Sequence, residues 1–169
     1  FTVSATMADT LVYQSTEQLE VEVSRSSYPG RQNIYLFNTI SLNPVVENLT
    51  PLYRHFFEED EAVLQESVNV SSGLLNAANF TENPDGSTTI RYPWIAVAFY
   101  GDNKIIATTV DDNVYDYIRT ESVQLGGSTL SPGEIQNVKT NVAGGIGIFG
   151  ALSADTIQTF IKPNPNLGF

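Results

Sequence analysis

Cysteine is absent from the 169 residues, and histidine, methionine and tryptophan occur once each. Without thiols there is no disulfide, no thiolate nucleophile and no cysteine-ligated zinc or iron–sulfur centre. A lone His55 rules out a metal held by three histidines, and any Ser-His-Asp arrangement would have to use it. It sits between Arg54 and Phe56, and no serine carries a nucleophile-elbow motif. Positive charge is scarce as well: eight Lys and Arg against nineteen Asp and Glu leave a net charge of -11. That balance repels phosphate backbones and anionic headgroups, which argues against a nucleic-acid partner. No apolar run approaches the roughly 20 residues that span a bilayer, and no basic-then-apolar leader opens the chain at Phe1. With Phe1 first and no initiator Met, the sequence is expected to be a mature or trimmed piece.

What is present is ordinary globular material, 41% hydrophobic, 11% aromatic and 16% charged. A single domain of this length buries about two thirds of the surface its unfolded chain exposes. Apolar residues recur with period 2. Leu19, Val21 and Val23 alternate with Glu20, Glu22 and Ser24, and Ile34, Leu36, Thr39 and Ile40 form a second β-rich run beyond a Ser26–Gly30 turn. Further strands are expected at 87–92, 94–100, 104–110, 145–152 and 156–161, with Gly101-Asp102-Asn103 as a three-residue hairpin loop and Asn83-Pro84-Asp85-Gly86 as a turn.

Two stretches break that rhythm. Thr50 and Pro51 predict a helix start that places Leu52, Tyr53, Phe56 and Phe57 on one side, and Asp112 or Asn113 predicts the cap of a helix from Val114 to about Leu125, ended by Gly126-Gly127. The resulting expectation is an all-β domain over 1–162, a mostly antiparallel β-sandwich with one or two short helices, followed by an exposed, weakly ordered Pro/Asn-rich tail over 163–169. Leu19, Val21, Val23, Ile95, Val97, Phe99 and Ile146 or Ile148 are its expected shared core.

The most distinctive block is Asn141 to Gly150, in which Gly144, Gly145, Gly147 and Gly150 interleave with Ile146, Ile148 and Phe149. Alternation predicts a strand whose glycines admit a close backbone while its apolar face packs inward. It is no phosphate-binding loop, since no Lys-Ser/Thr follows and a strand, not a helix, is expected next. Read with Thr2 to Leu11, Tyr100-Gly101-Asp102 and Val114-Tyr115-Asp116-Tyr117, this block resembles the domain-of-unknown-function family 4249 of Bacteroidota lipoproteins. Its closing pattern is Asn-Ile-x-Gly-Gly-x-Gly-x-Phe-Gly, with Val142 here in place of Ile. The resemblance implies the C-terminal part of a cell-envelope lipoprotein, tethered to the outer membrane through an upstream lipidated cysteine and often encoded beside a TonB-dependent transporter. It brings no catalytic residues and no cofactor.

Other constellations read blandly. Glu58-Glu59-Asp60-Glu61 lacks the spaced acids and glycine of a calcium loop and reads as a solvated helix end, so no metal is expected. Asp111-Asp112, with Asp116, reads as helix capping. Trp94 with Tyr92, Phe99 and Tyr100 offers a sugar-stacking platform, but the alternation around Trp94 favours packing. Asn48, Asn69 and Asn79 begin N-glycosylation sequons, while Thr10 and Thr156 lie in Asp-Thr-aliphatic O-glycosylation matches.

The functional expectation is therefore a non-enzymatic binding or scaffolding domain of the outer-membrane envelope, facing either the periplasm or the exterior. Its partner is expected to be an outer-membrane protein, and its contact with the membrane to come only through the anchor; the alternative is a glycan-binding module. The partner surface is expected in 44–66, at Tyr53, Phe56, Phe57, Glu58, Glu59 and Glu61, because this segment interrupts the β pattern with aromatic and acidic residues.

Overall fold

The computed structural model of the chain describes residues 2–60, 62–125, 138–145 and 147–167. In chain order the strands are β1 (Ala5–Thr6), β2 (Thr10–Val12), β3 (Leu19–Val23), β4 (Ile34–Ser41), β5 (Asn69–Asn76), β6 (Thr81–Glu82), β7 (Thr88–Tyr92), β8 (Gly101–Val110) and β9 (Leu152–Lys162). Helices α1 (Pro51–Glu59) and α2 (Val63–Glu66) lie between β4 and β5, and α3 (Asp112–Leu125) between β8 and β9. Two sheets result, in the orders β1-β3-β7-β6 and β2-β9-β8-β4-β5. Every pairing is antiparallel except β2 with β9. The fold is thus the expected β-sandwich. Its first strands belong to different sheets, so the chain from β1 to β2 crosses from one sheet to the other.

Period 2 decides which faces meet. Leu19, Val21 and Val23 are buried while Glu20 and Glu22 face water, and Ile90 and Tyr92 continue that inner face across β7. Opposite them stand Tyr35, Phe37, Ile105, Ala107 and Ile161 of the five-stranded sheet. The two layers touch where Phe37 stacks on Tyr92, ring centroids 5.1 Å apart. At roughly 25 cal/mol per Å² of apolar surface removed from water, side chains of this size each contribute about 1.5–3 kcal/mol.

Two expectations fail here, and β4 shows a face that its sequence left open. The inner residues of β4 are Tyr35, Phe37 and Thr39, while Ile34, Leu36 and Ile40 face outward. Both faces of this strand are apolar, so periodicity alone could not choose between them. The 94–100 stretch is not a hairpin strand. After Pro93 it makes one 3-10 turn over Trp94–Ala96 and then passes the end of the sandwich, pairing only at Leu49 with Phe99. Trp94, Ala96, Val97, Ala98 and Phe99 are all buried and Ile95 is half exposed, so Ile95 leaves the expected core.

The second is the glycine block, which is a loop. The last strand is continuous from Leu152 to Lys162, and Ile148 is half-buried while Ile146 lies outside the described residues. So do Gly126 and Gly127, the expected end of α3. Beyond β9 the chain turns once over Pro165–Leu167; Leu167 packs against the core, and the Asn164 amide reaches the Gln14 carbonyl at 3.4 Å. None of the described helices is long and apolar enough to cross a membrane.

Candidate interaction surface

The segment between β4 and β5 is fastened before it becomes helical. Asn48 to Thr50 runs beside Val97 to Tyr100, with Thr50 N donating to Ala98 O (2.8 Å) and Tyr100 N to Asn48 O (2.7 Å). Thr50 takes the expected cap position, its carbonyl accepting from Arg54 N at 2.9 Å and Pro51 entering the first turn, where its missing N–H costs nothing. Its hydroxyl does something else: fully buried, it donates to Val97 O at 3.1 Å and fixes the helix start to the sandwich end.

From that anchor α1 turns Tyr53 and Phe57 toward a small core of Leu49, Ala98 and Phe99. The Tyr53 hydroxyl donates to Ile95 O (2.8 Å), and Phe56 meets the Tyr53 ring edge-on with centroids 5.8 Å apart. Tyr53, Phe56 and Phe57 are all half-buried, so they cap one open end of the sandwich. Behind them Tyr13 packs edge-on to both Trp94 (5.4 Å) and Tyr100 (5.6 Å). Burial pushes the phenols of Tyr13, Tyr53 and Tyr100 up, which keeps them neutral donors. Trp94 is in the core, its indole N–H donating to Thr16 O at 2.9 Å, so Trp94, Tyr92 and Phe99 form no surface platform for a sugar ring.

The outward face of the same segment is mixed. Leu52, Arg54, His55 and Glu58 are exposed, and Ile95 beside Tyr53 adds an apolar spot at 50% exposure. Arg54 donates to the carbonyls of Val46 (3.0 Å) and Glu47 (3.2 Å). A cavity of about 490 Å³ opens between α1 and the chain after β9, with Arg54, His55, Glu58 and Pro163 on its walls. Glu58 and Glu59 fall in the last turn of α1 and Asp60 caps it, with no basic residue in that turn. Acids there face the negative end of the helix dipole, an arrangement that costs some tenths of a kcal/mol. The Glu59 side chain and all of Glu61 lie outside the described residues. No group of three or more His, Asp or Glu able to hold a metal occurs among the described residues.

The glycine block sits at the opposite end of β8. Asn141 closes it: its side-chain N–H donates to Phe149 O (2.7 Å) and its Oδ1 accepts from Phe149 N (2.6 Å). Gly144 and Gly147 take positive φ, +77° and +151°, which a side chain would strain. Gly145 has ordinary room for a Cβ; the close approach lies at Gly150, where a Cβ would stand 2.5 Å from Val114 Cγ2. Phe149 does not pack inward as the alternation predicted, being 83% exposed. The helix cap is Asp111, the first of the acids read as capping residues, and α3 begins at Asp112 rather than Val114. Its Oδ1 accepts from Val114 N and its Oδ2 from Ala151 N, both at 2.8 Å, so one carboxylate starts α3 and ends the glycine loop.

Thr10, paired with Phe160, and Thr156, paired with Ile106, are exposed on the outer face of the five-stranded sheet. The structure thus brings Tyr53, Phe56 and Phe57 together with Glu58 at one end, Asn141 and its glycines at the other, and Thr10 and Thr156 on the sheet between. The tie of Thr50 to Val97 and the double role of Asp111 went unread in the sequence. Their signal is a threonine before proline and an aspartate just after a strand, but the partners are distant in the chain. No curated protein and no solved structure matches this chain. Residues 1–158 match the family described as Domain of unknown function (DUF4249), and a match over nearly the whole length places the chain in that family.

Proposed function

We propose that this domain is a non-enzymatic binding and scaffolding module of a Bacteroidota envelope lipoprotein, held at the outer membrane by a lipid attached upstream. Its partner in this reading is an outer-membrane protein, a TonB-dependent transporter or another outer-membrane assembly. The observation that carries the proposal is the outer face of α1. There Glu58 and Glu59 sit in the last turn, where the helix gains nothing from them, Leu52 in the first turn and Ile95 next to Tyr53 are exposed, and Tyr53 and Phe57 pack the helix against the sandwich. A preorganised surface with an apolar centre and a charged rim is what an interface needs, since ordering costs are met before binding.

Crosslinking of the full-length protein in native membranes, followed by recovery and identification of the partner, tests it. Replacing Glu58, Glu59 and Glu61 together with Lys is expected to weaken recovery, most strongly at low salt, because rim charges act mainly on association. Recovery of the partner at wild-type levels across salt concentrations, by a triple variant that melts like wild type, would rule this surface out.

A further inference from the structure

On the far side of the sandwich from α1, helix α3 stands over the outward face of β4 and β5. Ile34 faces outward yet is only 1% exposed, and it lines a groove together with Tyr115 and Ile118 of α3. The helix is held along one flank by polar contacts. Arg31 pairs with Asp112 and Asp116, Lys139 pairs with Asp116, and Thr120 Oγ accepts from Lys139 N at 3.0 Å. Its other flank, with Tyr115 and Ile118, leaves a groove of about 660 Å³ above Ile34, Leu36 and Leu74. Between β4 and β5 the register slips, so that Ser72 and Gly73 together oppose Phe37. Gly73 has φ +74°, and a Cβ there would meet nothing within 4 Å, so the bulge leaves the mouth of the groove open.

This space falls within the roughly 300–1,000 Å³ of small-molecule sites and has their apolar lining with a few polar groups at the edge. Its charge is what points to a ligand class. Acids outnumber bases nineteen to eight in the chain, yet Arg119 is the one charged side chain among the described residues that line the groove. Among the described residues no ion pair involves Arg119, in contrast with Arg31 and Lys139 on the opposite flank. The nearby Asn76 amide is engaged with Gln32 Oε1 at 2.8 Å, which leaves a single guanidinium as the ionic contact. A planar guanidinium matches a carboxylate through two parallel hydrogen bonds.

We propose that this groove binds one aliphatic monocarboxylate, its chain lying against Ile34, Leu36, Leu74 and Ile118 and its carboxylate on Arg119 at the lip. The ligand is a free amphiphile, since a surface of net charge -11 is repelled by an anionic bilayer. The site lies at the opposite end of β8 from α1 and stands whether or not α1 is the partner surface.

Isothermal titration calorimetry with decanoate and decanol, both below self-association, tests the proposal on the whole protein. Decanoate is expected to bind once per chain and decanol about tenfold or more weaker. Arg119→Gln should bring decanoate to the level of decanol and leave decanol unchanged. Leu74→Trp should abolish both with the far-UV spectrum intact, and Ile118→Trp serves instead if Leu74→Trp unfolds. The proposal is overturned by the absence of saturable decanoate binding, by equal affinity for decanoate and decanol, or by indifference to Arg119→Gln. Binding confined to phosphatidylglycerol vesicles would overturn it as well. So would a dimer in sedimentation that Ile118→Glu disperses while decanoate fails to bind, since the groove is then a contact between two copies.

Discussion

Replacing Gly150 with Ala should be damaging through a steric clash, whereas the changes at Gly144 and Gly147 would act through backbone strain. The added Cβ would lie 2.5 Å from Val114 Cγ2, 3.1 Å from Asp111 Oδ1 and 3.5 Å from Val114 N. Val114 is in the first turn of α3 and β-branched, so its side chain has essentially one rotamer and cannot swing aside. Displacing Asp111 instead loosens its two charged hydrogen bonds, to Val114 N and Ala151 N. Overpacking of this kind costs about 1–3 kcal/mol and a lost cap about 1, so a loss of about 2 kcal/mol is expected. For a chain of this size that lowers Tm by roughly 4–8 °C. Gly145→Ala is the control: its Cβ would meet Val142 Cγ1 at an ordinary 3.6 Å, and stiffening the unfolded chain should stabilise by about 0.4–1 kcal/mol. Gly150→Ala combined with Val114→Ala should lose less than the sum of the two. Thermal and urea melts of these variants decide the matter. A Gly150→Ala protein that melts with wild type, or no worse than Gly145→Ala, would refute the close approach to α3.

Two further outcomes follow from buried and ionised groups. Burial works against ionisation of Asp116, but hydrogen bonds and charge from Lys139 and Arg31 outweigh it and hold the carboxyl below the usual carboxylate range. Its folded-state pKa is depressed, so its contribution is complete above the unfolded-state value of about 3.9 and is lost as pH falls through the folded value. Asp116→Asn should therefore cost a constant amount from neutral pH down to about 5. Both cations are more than half exposed, which limits that cost to about 1 kcal/mol. Urea melts against pH check this, and a cost that grows toward acid would contradict it. Among the described residues the buried hydroxyls of Tyr92, Thr39 and Thr109 make no hydrogen bond of good geometry; burial pushes the Tyr92 phenol up, and the neighbouring Thr39 hydroxyl offsets only part of that rise. Tyr92→Phe keeps the stack on Phe37 and is expected to be neutral or stabilising by up to about 1 kcal/mol; a clear loss in urea would mean that the hydroxyl is bonded.

The alternation of Leu19, Val21 and Val23 with Glu20 and Glu22 was enough by itself to assign an inner and an outer face, because only one face of that strand is apolar. Thr50 before Pro51 marked the start of α1, and Asn83-Pro84-Asp85-Gly86 marked the turn in which Gly86 takes φ +83° and its N–H reaches Asn83 O. These signals are local, and local sterics and hydrogen bonding decide them. The burial of Trp94 and of Ala96 to Phe99 could not be seen that way: six apolar residues in a row satisfy a strand or a passage through a core equally well, and only contact with Leu49 and Thr50 selects the second. Nor could alternation tell the inner face of β4 from the one beneath α3, since each has an apolar layer against it. The glycine block read as a strand because its glycines alternate with apolar residues. It became a loop because Asn141 closes it across eight residues and Asp111, forty residues upstream of Ala151, ends it, and partners so distant in sequence meet only when the sheet between them has formed.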